Sequence, residues 1–405
     1  MNKKWDALWV NGSIATCDQG LGFIKEGAIA VKEGKIAWVG AYQDLSSSPE
    51  TLAEDVYDME HTCLTPGLID CHTHAVYAGN RVHEFELRLQ GASYEDIARQ
   101  GGGIKSTVSA TRKAEENILF QQSYPRLRTF LNHGVTTVEI KSGYGLDWPT
   151  ELKMLSVMNT LATYLPMTIC KTFLGAHTIP LEYKNNPDVY VDLLCHEMIP
   201  IIAQEKLANA VDVFCENIAF NLAQTERIFQ VAQKNGLQIK CHAEQLSSSD
   251  SAVLAAKYKA LSVDHLEYIS LEGIKAIAKS GTIAVVLPGA FYYLREKKMP
   301  PISLLREHHI PMAIATDCNP GTSPILSLPL IMNMACVLFG MTLEEVWLGV
   351  TQHAAKALGL WETQGSLTVG KIADFAVWEV SHPYELVYYM GHEALREVIK
   401  EGEGL

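Results

Sequence analysis

Eight short apolar runs, each ending in polar, chemically capable residues, constrain this chain more than any other feature. They occupy residues 67–71, 135–140, 167–174, 210–215, 238–241, 262–265, 282–287 and 312–316. Helical periodicity lies between most of them, as at 224–235, 249–257 and 271–279, and Gly236 sits where a helix C-terminal cap is expected. Strands alternating with helices in this way over roughly 250 residues predict an α/β chain with a closed (β/α)8 barrel of the TIM type. An open doubly wound sheet is the competing arrangement. It usually has fewer strands, and the sequence carries no Gly-rich dinucleotide fingerprint.

Both ends of the chain read as β structure. Residues 7–10 and 28–31 are short apolar runs, and Lys32-Glu33-Gly34-Lys35 is a turn from which 36–39 runs back as a hairpin partner. A similar signature returns at 365–371 and 373–378. Neither end alone has enough strands for a stable domain. The expectation is a small β-sandwich domain drawn from residues 1–63 and 366–405, with the barrel at 64–365.

A chain of 405 residues, 48% hydrophobic, has room for both units and a sizeable core. The formal net charge is -13 and no long basic cluster is present, which argues against nucleic acid or an anionic membrane as partner. Nine cysteines without a CxxC pair point to free thiols in a reducing, cytoplasmic setting, and no signal-peptide apolar region follows Lys3 and Lys4. The most apolar stretch, 325–341, is interrupted by Ser327, Pro329 and Asn333, and reads as a buried helix rather than a membrane span.

In a barrel the C-terminal strand ends converge on one mouth. Taken in order, those ends carry His72 and His74, then Glu139 to Tyr144, His177, Cys215-Glu216, His242-Ala243-Glu244-Gln245, Asp264-His265, Pro288-Gly289, and Asp317-Cys318-Asn319-Pro320-Gly321-Thr322. Alternate side chains of a strand share a face, so His72 and His74 point the same way. With His242 and Asp317 they offer three imidazoles and one carboxylate. That set suits Zn2+ or iron and leaves a position for water. The bland alternatives are ordinary strand-end histidines and, for Asp317 to Gly321, a simple turn. Cys71 and Cys241 adjoin proposed ligands, but alternation turns them away as packing residues; Cys318 is less determined by that rule.

This pattern resembles the amidohydrolase superfamily of metal-dependent barrels: His-x-His after strand one, a His after strand five, another after strand six and an Asp after strand eight. The resemblance spans nearly the whole chain, including the split β domain. Binuclear members carry a metal-bridging lysine after strand four. Here Cys215-Glu216 stands there and Lys141 lies on strand two, so one metal ion per subunit, Zn2+ or Fe, is implied. Asp70-Cys71-His72-Thr73-His74 followed by Arg81, the stretches 101–104, 139–146 and 172–177, His242-Ala243-Glu244-Gln245 and the stretch 316–322 are closer still to one branch. That branch opens the ring of 4-imidazolone-5-propanoate by hydrolysis.

The resemblance implies a small anionic substrate, a homodimer, and a site of named parts. Asp317 would carry the proton and His265 would orient water or steady the oxyanion. Arg81 would grip the propanoate with its two-pronged guanidinium. Tyr144, His177, Gln245, Asn319, Gly321 and Thr322 would complete the substrate pocket, and the glycines of 101–104 mark a candidate closing loop. The competing assignments are a surface pair of Arg81 with Glu84 or Glu86 and a merely packed Tyr144. Competing functions are another mononuclear amidohydrolase or deaminase acting on a small heterocycle, and a non-catalytic barrel with a structural metal.

Overall fold

The computed structural model describes residues 4–92 and 102–405 of the chain. Its N-terminal part holds β1 (Trp5–Ala15), β2 (Phe23–Lys32), β3 (Lys35–Ala41), β4 (Ala53–Asp58) and β5 (Cys63–Pro66). Glu33 and Gly34 both take positive φ, 52° and 72°, so the two-residue turn sets Lys32 opposite Lys35 as the sequence predicts.

Eight strands then follow: β6 (Leu68–Asp70), β7 (Val135–Lys141), β8 (Thr168–Ala176), β9 (Ala210–Cys215), β10 (Gln238–Ala243), β11 (Ser262–His265), β12 (Ile283–Val286) and β13 (Met312–Ile314). Each overlaps one predicted run. Neighbours in the chain are neighbours in the sheet, all parallel. Helices cover the outer face, so these strands are buried on both sides and read as near-continuous apolar runs.

The seam between first and last strands is stitched by side chains as well as backbone. Asp70 Oδ1 and Oδ2 accept from the Thr316 amide at 3.1 Å and hydroxyl at 2.6 Å. Just beyond, the Asp317 amide donates to His72 O and the His74 amide to Cys318 O, at 3.0 and 2.9 Å. Burial pushes the Asp70 carboxyl up to about 7, against the pull of the Thr316 donors. The barrel is therefore nearly closed, and the same bonds that close it fix the first and eighth strand ends beside each other.

The helices Leu222–Lys234, Ser251–Lys257 and Leu271–Ser280 fall on three of the predicted segments. Asn221 and Gln224 form a reciprocal cap at the start of the first, and Gly236, with φ 77°, stands just past its end. One expectation needs adjustment. The apolar stretch 325–341 contains the helix Leu328–Phe339, which buries one face only: Leu328, Ile331, Met332, Ala335 and Phe339 point inward while Val337 is 73% exposed. The helix lies on the outside of the barrel, where only one stripe meets the core. Among the described residues no helix is long and apolar enough to cross a membrane.

The chain returns as β14 (Phe375–Trp378), β15 (Leu395–Lys400) and β16 (Glu403–Gly404). β14 pairs antiparallel with β5, which joins both chain ends in one eight-stranded mixed sheet. Alternation gives each face its own apolar cluster. Trp9, Ile29, Val31, Phe375 and Ile399 pack on one, and Leu8, Val10, Ala28 and Ala30 on the other.

Candidate metal centre

Three imidazoles meet at the barrel mouth. Ligand-capable nitrogens of His72, His74 and His242 all lie within 4.8 Å of one another, and all three side chains are buried. His74 Nε2 is 3.4 Å from His242 Nε2, and Asp317 Oδ1 is 3.5 Å from Nε2 of both His72 and His74. A tetrahedral ion with ligands about 2.0–2.1 Å away needs ligand atoms roughly 3.3–3.4 Å apart. The spacing fits such an ion. His72 Nε2 is buried without a hydrogen-bond partner among the described residues, as an atom reserved for a ligand should be. Burial, the largest influence, holds His72 and His74 far below the usual imidazole range, so both are neutral, the form that binds metal. Burial likewise pushes Asp317 up to about 7, with His242 opposing it.

Each outer imidazole is backed by a carboxylate. His72 Nδ1 is 2.5 Å from Asp264 Oδ2, and His242 Nδ1 is 3.1 Å from Asp212 Oδ2. Asp212 Oδ1 also accepts from the His242 amide. Such partners fix the tautomer and ring plane of a ligating histidine. The strand-end pattern of the sequence does not include Asp212 and assigns Asp264 no role. The signal was available: charged residues two apart inside otherwise apolar strands, as Glu139 and Lys141 on β7 or Lys240 and His242 on β10, mark a polar interior face.

The remaining predicted residues divide into those at the centre and those that build its walls. His177 stacks on His74 at 5.1 Å, and burial draws it down to about 3. Tyr144, 3% exposed, lies 5.9 Å from His74 and 5.4 Å from His177. His265 is 5.5 Å from His242 and 5.8 Å from His72 between ring centroids. Its φ of 86°, followed by 75° at Leu266, departs from strand geometry and re-aims the ring at the mouth. Its Nδ1 is buried without a partner among the described residues. Gln245 is half-buried at the end of β10.

Arg81 donates through Nε to Thr107 Oγ1 at 2.9 Å and lies against Gly321. The suggested surface partners are engaged elsewhere. Glu84 accepts from the Gly103 amide and Ser106 hydroxyl, and Glu86 Oε2 stands 3.7 Å from His83 Nδ1. Asn319 turns its side chain back on its own loop, accepting from the Gly321 and Thr322 amides and donating to Asp317 O and Thr322 Oγ1. It therefore shapes the turn that presents Asp317, as the turn-former reading expects. Of the glycine-rich 101–104 segment, Gly101 lies outside the described residues, and Gly103 caps the helix Ile104–Lys113 with φ 75°.

Cys71 and Cys241 sit in apolar clusters with thiols raised far above their usual range by burial, which keeps them protonated. Cys318 is buried too, its thiol also raised by burial. Where a bridging lysine stands in binuclear relatives, Glu216 bonds instead to the Leu246 and Ser247 amides and the Ser247 hydroxyl. Two further carboxylates stand at the mouth, Glu244 from the strand-five end and Glu267, which the strand-end pattern does not include. Glu244 and Glu267 are buried, have oxygens without partners among the described residues, and are pushed by burial up to about 7 and about 8.

Comparison with known proteins identifies the family and the fold. The amidohydrolase family profile matches residues 63–403. Among solved structures, a triazine hydrolase variant superposes with TM-score 0.76 at 17% identity, covering 99% of this chain and 95% of that one. An adenosine deaminase from Xanthomonas campestris with bound zinc gives 0.73 at 18%, covering 99% and 93%. At those identities the likeness speaks for the fold. The chain belongs to the amidohydrolase family. Its full-length relatives are more specific: imidazolonepropionases from Colwellia psychrerythraea and Shewanella putrefaciens are each 54% identical to it, over 99% of this chain and 97% and 99% of theirs. Within the amidohydrolases, the chain is a member of the imidazolonepropionases.

Proposed function

We infer that this chain hydrolyses the ring of 4-imidazolone-5-propanoate to N-formimino-L-glutamate, a step of histidine degradation, with residues 64–365 as the catalytic unit. The observation that carries this reading is the 54% identity to imidazolonepropionases along the whole chain. The mouth supplies chemistry suited to it. His72, His74, His242 and Asp317 would hold one divalent ion, zinc or iron. When bound, such an ion polarises a carbonyl and brings the pKa of a water ligand toward ~7.

The protein's own groups do the rest. Arg81, oriented through Thr107, would receive the propanoate on its guanidinium fork. Tyr144 and His177 would flank the ring, with Gln245 hydrogen-bonding to it and the turn of Asn319, Gly321 and Thr322 closing one wall. Water adds its oxygen to the ring carbonyl carbon and the carbon–nitrogen bond breaks. Asp317 takes a proton from the water and returns one to the departing ring nitrogen, which balances the reaction. His265, with its unpartnered Nδ1, would orient the water or steady the oxyanion.

The deciding experiment incubates purified, metal-loaded protein with the imidazolone substrate and follows loss of the ring chromophore. One formimino-glutamate per ring consumed is the expected result. No turnover, together with ammonia release from a nucleobase-like heterocycle, would replace this reading with the deaminase alternative.

A further inference from the structure

Beneath the three histidines the barrel interior holds Glu139, Lys141, Asp212, Lys240 and Asp264, none more than 1% exposed. Lys141 Nζ lies 2.7 Å from Asp212 Oδ2, 2.9 Å from Glu139 Oε2 and 3.7 Å from Asp264 Oδ2. The Asp212 oxygen it touches is the one 3.1 Å from His242 Nδ1, and the Asp264 oxygen is the one 2.5 Å from His72 Nδ1. One ammonium thus stands behind both carboxylate oxygens that stand behind two of the three imidazoles. Other donors hold the remaining oxygens: the His242 amide on Asp212 Oδ1 and the Ser262 hydroxyl on Asp264 Oδ1.

We propose that Lys141 is a positioning residue of the metal centre. Its ammonium ties the Asp212 and Asp264 carboxylates together and through them sets the ring orientations of His242 and His72 jointly. The physical need is plain. Two buried carboxylates facing one cavity repel each other, and a cation beside the two oxygens that face the imidazoles offsets that repulsion. Lys141 reaches β9 and β11 from β7 and so spans the arc that carries His242 and faces His72. Lys240 provides the internal contrast. Its bonds run to Glu139 Oε2 and Cys71 O, both at 2.9 Å, so it bonds neither carboxylate behind the histidines and acts on Asp264 through its charge alone.

The inference rests on the three histidines being metal ligands, and the test separates the two claims. Zinc affinity is measured by competition with a chromophoric chelator for the wild-type protein, Lys141→Met and Lys240→Met, each checked for native circular dichroism. Both substitutions remove one buried positive charge from the same network, so a merely structural role predicts equal effects. The proposal predicts zinc binding weakened by about 10- to 100-fold in Lys141→Met, the range seen when partners of ligating histidines are lost. Lys240→Met should stay within about threefold of wild type. Equal losses in both variants, or wild-type affinity in Lys141→Met, overturn it. Should Lys141→Met fail to fold, the pair Glu139→Gln and Glu139→Gln/Lys141→Met restores the charge balance, and the double variant must show the same loss against the single. A wild-type protein that binds no zinc at all overturns the metal-centre reading instead.

Discussion

A β-carbon on Gly321 would stand 2.9 Å from Cζ of Arg81, closer than any side chain tolerates. A side chain at 321 and the guanidinium as placed exclude each other, and the flexible end of Arg81 is the part that would move. The glycine of the strand-eight turn and the arginine that follows strand one are parts of one feature. Gly321→Ala should displace the guanidinium and lower kcat/KM by about 10- to 100-fold, the size of effect expected from a misplacement near 1 Å. The loss should fall mainly on KM. Arg81→Ala should cost about 2–4 kcal/mol of substrate binding. Steady-state kinetics on the two variants check this, and an unchanged KM in both would remove Arg81 from the carboxylate site.

Asp264→Asn tests the support behind His72. The 2.5 Å contact to Nδ1 gives that ring its orientation, and an amide in its place offers a weaker acceptor or presents a donor. Metal affinity should fall by about 10-fold or more while the fold persists, because the Ser262 hydroxyl still finds a partner in the amide oxygen. Isothermal titration of the metal-free variant with zinc measures this directly.

Removing the metal should abolish turnover without unfolding the protein. The seam bonds of Asp70 with Thr316 and the lysine-carboxylate network are complete without an ion. Prolonged chelation should therefore leave far-ultraviolet circular dichroism native and lower Tm, because a ligand at 100 times its Kd contributes about 2.7 kcal/mol to the folded state. Zinc or ferrous iron added back should restore both. Loss of native dichroism on chelation would indicate that folding itself depends on the ion.

The sequence made the eight strands legible because strands buried on both faces leave apolar runs, and because function concentrates polar residues just past their ends. It also made His72, His74, His242 and Asp317 legible as a group, once one mouth was assumed. What it left unread has a common cause. Asp212, Asp264 and Lys141 act inside the barrel rather than at its rim; alternation marks their strands as having a polar inner face, but their partners lie on other strands, so no local spacing says which groups meet. His265 was placed at the mouth by position alone. Its aim depends on two successive left-handed residues, His265 and Leu266; leucine rarely adopts that conformation, so the residue types do not announce the bend. Asn319 is legible as part of the strand-eight turn, but the bonds by which its amide holds that turn are not.

Glu267 should make stability depend on pH in a way that one substitution removes. Burial raises its carboxyl from 4.5 to about 8. Below the unfolded value the group is protonated in both states and no difference arises. Between 4.5 and about 8 the folded state keeps a proton that the unfolded chain releases, so stability falls as pH rises through that window. Glu267→Gln carries no proton to lose. It should match wild type near pH 5 and be more stable near pH 8.5 by a few kcal/mol, at about 1.4 kcal/mol for each unit by which the folded and unfolded pKa values differ. Urea denaturation of both proteins at the two pH values measures the difference. If the variant is less stable than wild type at the higher pH, Glu267 has a partner there that holds it charged, and its buried oxygen is not the unsatisfied one it is here.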